Sequence, residues 1–231
     1  MYKVNDDFHP ERTVYPKHVA IIPDGGRRWA VEHNTSYYES YVKMTERGLD
    51  IIKMLFEDEV EIISIYFSST HNFARPQNEV ESFCKAEAAF LNSLILVLAK
   101  EMSIKITVIG KRNGLPSYLV SAIEKAEKET KLYTNKKLYI CINYNALDEI
   151  QEAVLTAKTN ESDSFVNYLQ IPHPVNLLIR TGDAKVLSNF LLAQMSFARL
   201  FFFQKLFNDL SHADIKHILN EYEKYQIKYG E

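Results

Sequence analysis

Residues 18–30 read His-Val-Ala-Ile-Ile-Pro-Asp-Gly-Gly-Arg-Arg-Trp-Ala and concentrate the side chains best suited to chemistry. An apolar run, Val19 to Ile22, leads into Asp24, two glycines, two arginines and then a helical pattern. Glycines let main-chain N–H groups come close to an anion. A helix start adds partial positive charge. Arg27 and Arg28 bring full charges and forked donors that suit phosphate oxygens. A carboxylate beside such a nest would repel a phosphate unless a cation bridges them, and Mg²⁺ is the usual bridge. Gly25, Gly26, Arg27 and Arg28 are therefore candidate diphosphate binders. Asp24 is a candidate metal ligand or a catalytic group beside the reacting centre. The alternative is a surface turn with a basic face.

A second polar cluster, Ser68-Ser69-Thr70-His71-Asn72, precedes Arg75. Hydroxyls, an amide and a guanidinium just after a strand can hydrogen-bond a diphosphate and a departing oxygen. A capping loop would use the same residue types.

These groups need a scaffold. Short apolar runs at Val19–Ile22, Ile62–Phe67, Ile104–Ile109, Leu138–Asn143 and Val175–Ile179 read as strands. Ser196–Phe203 is a sixth strand or a helix end. Helical patterns lie between them, at roughly 37–57, 78–101, 116–131, 146–158 and 188–195, with a last one at 211–228. Continuous apolar strands separated by long helices predict a single-domain α/β protein, with a central, mostly parallel six-stranded sheet flanked by helices. Such sheets bind ligands at the carboxyl ends of their strands. Asp24, Ser68, Ser69, Asn143 and Arg180 all fall at or just after a strand end, so the topology predicts one shared rim.

Composition agrees. A chain of 231 residues suits one sizeable domain, here spanning 1–231 with a polar N-terminal extension at 1–17. Aromatic residues make up 12%, which favours a large apolar interior or cavity. A net charge of −3 argues against a nucleic-acid partner. Cys84 and Cys141 have neither metal-ligand spacing nor a disulfide framework, and read as buried free thiols in a reducing, cytoplasmic compartment. The extension carries Asp6, Asp7, Glu11 and Arg12, so it cannot be a signal peptide. The apolar stretch Phe197 to Phe207 is interrupted by Arg199, Gln204 and Lys205, and no membrane-spanning segment is expected.

The first segment resembles the His-Val-Ala-Ile-Ile-Met-Asp-Gly-Asn-Gly-Arg-Trp-Ala signature of the cis-prenyltransferases, the undecaprenyl diphosphate synthase group. Its Asp24-Gly25-Gly26-Arg27-Arg28-Trp29 variant is more similar to the irregular branch, which includes cyclolavandulyl diphosphate synthase and the tuberculosinyl transferase group. Phe67-Ser68-Ser69 through Arg75-Pro76 and Glu79-Val80 resembles a second family segment, with one extra residue before Arg75. Ile179-Arg180-Thr181-Gly182 with Ser188-Asn189-Phe190-Leu191-Leu192 resembles a third. The resemblance runs roughly from His18 to Tyr229. It implies that Ser69 and Arg75 hold an allylic diphosphate, that Asn72 is catalytic, and that Arg180 and Ser188 bind a second diphosphate. It also implies Mg²⁺, a homodimer and a hydrocarbon tunnel lined by helix 78–101. Alanines among the large side chains of that helix could shape a tunnel, although an ordinary buried helix shows the same pattern.

Departures from the family pattern carry information too. A family arginine falls on Val186, and two glutamates fall on Ala184 and Arg199. An Arg and a His of the next helix fall on Tyr37 and Tyr41. Arg199 could stand in for a lost cation or a metal, or simply pair with an acid. Tyr37, Tyr38 and Tyr41 are candidate pocket residues, because a phenol near an allylic cation can stabilise charge and relay a proton. In the tuberculosinyl group the counterpart of Tyr41 matters for catalysis. Tyr38 also shares a helical register with Val42, Leu49 and Phe56, which is a core pattern.

The expected function is a non-standard prenyl or terpenyl diphosphate-processing enzyme. It would ionise an allylic diphosphate, and a second prenyl unit, water or another nucleophile would capture the cation. The alternatives are a regular chain-elongating synthase using isopentenyl diphosphate and, from another class, a non-catalytic partner subunit. Retention of Asp24 and both arginines speaks against the subunit.

Overall fold

The computed structural model describes residues 15–158 and 164–224. Most of the 1–17 extension and the expected helical residues 225–228 lie outside these. Six strands form one sheet: β1 (His18–Ile22), β2 (Ile62–Tyr66), β3 (Ile104–Ile109), β4 (Lys136–Cys141), β5 (Leu177–Arg180) and β6 (Arg199–Phe202). Their order is β3-β4-β2-β1-β5-β6, and every neighbouring pair is parallel. The sheet is thus wholly rather than mostly parallel, and Arg199–Phe202 is a strand. From β1 the chain first builds outward through β2, then returns to the other side with β5. The gap between the carboxyl ends of β1 and β5 is therefore a topological switch point, where such sheets open a crevice.

Seven helices complete the fold: α1 (Gly26–Glu32), α2 (Tyr37–Glu57), α3 (Gln77–Asn92), α4 (Leu94–Met102), α5 (Ser117–Thr130), α6 (Ala146–Lys158) and α7 (His212–Glu223). Strand residues alternate between two apolar layers. Val19, Ile21, Ile63, Ile65, Leu177 and Ile179 pack with Ile51, Leu55, Leu91 and Ile218 from the helices. Ala20, Ile22, Tyr66, Cys141 and Leu178 pack on the other face with Phe190 and Leu191. Burial on both faces explains why the strands read as unbroken apolar runs. Both cysteines are buried free thiols.

Two expectations need correction. The pattern at 78–101 is not one helix: Ser93 adopts φ −126°, ψ −115° and separates α3 from α4. The stretch at 188–195 is not helical. Ser188, Asn189 and Leu191 adopt φ of 50°, 56° and 44°, left-handed values that break a helix, and its apolar spacing comes from tight turns that bury Phe190 and Leu191. By composition, the segment Gln77–Met102 is apolar and long enough to cross a bilayer. It is instead a core element, in which Val80, Phe83, Leu91, Ile95 and Leu98 pack into the domain.

Candidate active site

Local chemistry places the first motif. Gly25 has φ +114°, and a Cβ there would lie 2.7 Å from Leu206 Cδ2. At Gly26 a Cβ would meet Met44 Sδ at 2.4 Å. Both glycines therefore let the chain turn tightly from β1 into α1. Asp24 is pinned by Thr181: its main-chain N–H donates to the Thr181 hydroxyl at 2.8 Å, and that hydroxyl donates to the Asp24 carbonyl at 2.8 Å. Ser36 and Glu39 form a capping box that starts α2. This sets the helix that carries Tyr41.

Across the switch point, Arg180 is almost fully buried. Its Nη2 pairs with Asp24 Oδ2 at 2.9 Å, and its Nη1 donates to Ser188 Oγ at 2.7 Å and the Val186 carbonyl at 2.6 Å. Arg28 Nη2 donates to the Gly182 carbonyl at 2.7 Å and lies 3.4 Å from Asp24 Oδ1. Asp24 thus organises two guanidinium groups.

A second carboxylate does the same on the far side. Buried Glu79 accepts from Arg75 Nη1 at 2.7 Å and from the Tyr41 hydroxyl at 3.0 Å, and Arg27 Nε lies 3.8 Å away. Burial, reinforced by the charge of Glu79, pushes the Tyr41 phenol well above its ordinary value. Tyr41 therefore stays protonated and donates to Glu79, so it is not itself a base. Its ring meets Phe83 edge-on with centroids 6.0 Å apart.

The two clusters border one cavity of about 240 Å³. Asp24, Gly25, Gly26, Arg27, Ser69, Asn72, Arg75, Arg180 and Ser188 supply its polar rim. Met44, Ile65, Phe67, Phe83, Ala86 and Phe207 form its apolar part. Asn72 closes the rim turn, with Oδ1 accepting from the Ser69 N–H at 2.7 Å and the Ser69 hydroxyl at 3.0 Å. Together the two clusters hold four guanidinium groups, of which Arg27, Arg75 and Arg180 line the cavity, against the carboxylates of Asp24 and Glu79, which leaves surplus positive charge for a dianionic or trianionic ligand.

Other expected residues lie elsewhere. Arg28 and Tyr37 border an outer groove beside Asp24 rather than the main cavity. Tyr38 is 42% exposed and does not line the cavity, and its exposure also overturns the core pattern read for it. Asn143 lies at its strand end but donates to the Lys111 carbonyl, closing a loop. Arg199 stands at the amino end of β6, away from the rim. Its guanidinium donates to the Glu221 and Tyr222 carbonyls at the end of α7 and stacks 4.7 Å from the Phe201 ring. It therefore cannot replace a rim cation, because the strand direction carries it to the opposite edge of the sheet.

Among the described residues no group of three His, Cys, Asp or Glu side chains could hold a metal. Mg²⁺ keeps several waters and needs only one or two carboxylates beside substrate phosphates. Asp24, with a third of its side chain exposed at the rim, fits that demand, whereas Glu79 is buried.

Sequence reasoning missed two site acids. Glu79 was visible only as part of a motif, and its neighbours come from three separate segments. Glu87 lines the cavity at 4% exposure, and among the described residues neither of its oxygens has a hydrogen-bond partner. Leaving a buried acceptor unpaired costs about 1–3 kcal/mol. Its signal was an acid inside the apolar stripe Val80, Cys84, Leu91 of one helix face.

Comparison with known proteins agrees with the fold. The family model of the undecaprenyl diphosphate synthases matches residues 22–230. The chain belongs to this family of prenyltransferases. A tritrans,polycis-undecaprenyl-diphosphate synthase (geranylgeranyl-diphosphate specific) of Pyrococcus horikoshii is 31% identical, covering 94% of this chain and 88% of the relative. An isoprenyl transferase of Staphylococcus saprophyticus is 32% identical over 98% of this chain and 94% of its own. Among solved structures, the lavandulyl diphosphate synthase of Lavandula x intermedia in complex with dimethylallyl diphosphate superposes with a TM-score of 0.87. It is 28% identical and covers 94% of this chain and 99% of that one.

Proposed function

We propose that this chain ionises a short allylic diphosphate and directs the resulting cation to a non-standard capture, by a second prenyl unit, water or another nucleophile. One observation carries the reading: three guanidinium groups, Arg27, Arg75 and Arg180, held by Asp24 and Glu79, line the polar mouth of a small aromatic-floored cavity, and Arg28 borders the groove beside it. Arg27 and Arg75 with the Gly25–Gly26 turn would grip the diphosphate. Arg180, held by Ser188, would orient Asp24. The leaving group carries off the electron pair of the carbon–oxygen bond, and fixed positive charge at the rim stabilises it. Asp24 would hold Mg²⁺, which would supply further charge to the departing diphosphate. The departures at Ala184 and Val186, the latter 57% exposed, leave the second anion site poor in charge and favour the non-standard route.

A second reading, regular elongation with isopentenyl diphosphate, is favoured by the synthases 31% and 32% identical to this chain. We also carry forward a cytoplasmic homodimer, to be read by light scattering and fractionation.

The test is a substrate panel of dimethylallyl, geranyl, farnesyl and geranylgeranyl diphosphates with Mg²⁺, each with and without isopentenyl diphosphate. Pyrophosphate release without isopentenyl diphosphate, and short or branched products by mass spectrometry, is the expected result. Long cis-polyprenols would establish the second reading instead. Asp24→Ala should lower release by about 10²-fold or more.

A further inference from the structure

We propose that Glu87 is a catalytic residue at the hydrocarbon end of the cavity, taking the proton that the carbocation sheds after the diphosphate has left. The inference rests on the allylic-diphosphate reading above and extends it to a group which that reading does not use.

Glu87 sits on α3 where the helix lines the cavity beside Phe83 and Ala86. It lines the cavity together with the Ser68 and Thr45 hydroxyls and is 4% exposed. Among the described residues neither oxygen has a partner that meets hydrogen-bond geometry. The groups facing it are weak ones. The Ser68 hydroxyl approaches from the end of β2, Cys84 lies one turn earlier on α3, and Tyr118 faces it from α5. Among the described residues no guanidinium balances it, unlike Asp24 and Glu79. A structural acid in a core would be paired, so an unpaired one in a substrate-sized cavity points to a ligand that completes it. Burial pushes the carboxyl up to about 8, so the ionised form that can accept a proton grows in as pH rises towards 8.

The chemistry balances without a further reagent. The allylic carbon–oxygen bond breaks and its electron pair leaves with the diphosphate. The cation either persists or adds to the double bond of a second prenyl unit, which moves the charge to a tertiary carbon. The Glu87 carboxylate then takes a proton from the neighbouring carbon, and the C–H electron pair becomes a carbon–carbon double bond. Glu87 ends protonated and returns the proton to solvent before the next turnover. A cation in a confined site would strongly favour the ionised carboxylate.

The experiment compares the wild-type enzyme with Glu87→Gln and Glu87→Leu on the same allylic diphosphate panel from pH 6 to 9. Pyrophosphate release and products are both quantified. For Glu87→Gln, turnover should fall about 10²-fold, in the range of lost general-base catalysis. Its products should shift from alkenes to alcohols formed by water capture, and the rise in wild-type rate towards pH 8 should vanish. Glu87→Leu should bind an unreactive thio-diphosphate analogue about as tightly as wild type and melt at a higher temperature. Wild-type product ratios and an unchanged pH profile in Glu87→Gln would overturn the role of Glu87 alone. Failure of the wild-type protein to release pyrophosphate from any of the four substrates would overturn the site reading together with it.

Discussion

At the scale of single residues, two acids do opposite jobs with the same functional group. Glu79 is buried but surrounded by donors from Arg75, Tyr41 and Arg27, so it positions cations. Tyr41 acts through that cluster: its proton is committed to Glu79, and Arg75 Nη1 approaches its oxygen at 3.3 Å. Tyr41→Phe removes two hydrogen bonds, one donated to Glu79 and one accepted from Arg75, a change of about 1–2 kcal/mol in stability. It also loosens Arg75 at the diphosphate. Turnover on an allylic diphosphate should fall about tenfold or more while the melting temperature moves by only a few degrees. A large drop in melting temperature with normal kinetics would return Tyr41 to a packing role.

At the scale of elements, the turn after β5 carries as much of the site as the first motif. Gly182 has φ +77°, and a Cβ there would lie 2.4 Å from Arg28 Nη2 and 3.2 Å from the Asp24 backbone carbon. Gly182→Ala therefore strains the backbone and displaces Arg28 from the Gly182 carbonyl. Urea denaturation should show a loss of about 1 kcal/mol or more. Calorimetry should show weaker binding of inorganic pyrophosphate. Full retention of both would mean that the turn can relax and that Arg28 is not held there. The Arg-Thr-Gly run was legible as chemistry in the sequence. Its partner Ser188 was legible by position, but the turns around it were not, because their left-handed residues are not glycines.

At the scale of the whole molecule, two buried groups with opposite shifts shape acid and base tolerance. His18 at the start of β1 is fully buried between Ser64 Oγ at 2.8 Å and the Pro174 carbonyl at 3.1 Å. Burial pulls its imidazole from 6.5 down to about 3. Between those values the unfolded chain binds the extra proton, so stability falls as pH drops through that window. Glu87 is raised from 4.5 to about 8, so the folded chain holds the extra proton and stability falls as pH rises through that window. The slopes oppose where the windows overlap, which predicts a plateau between pH 4.5 and 6.5 with losses on either side. Chemical denaturation from pH 4 to 9 checks this, and Glu87→Gln should abolish the loss between pH 6.5 and 8. A loss that persists in the variant would place its origin elsewhere.

The amino-acid order alone determined the class of fold, the rim and most of the residues we propose to grip a diphosphate. Unbroken apolar strands can be buried only between two helical layers, and glycines beside arginines at a strand end have few other uses. The tertiary structure alone decided the sorting of cations. Arg199 looked like a substitute for a lost site residue until the parallel direction of β6 carried it to the opposite edge. It also decided Glu87, whose meaning depends on the absence of partners around it. A helical stripe can show that an acid faces inward. Only packing shows whether a cation or an open cavity meets it there.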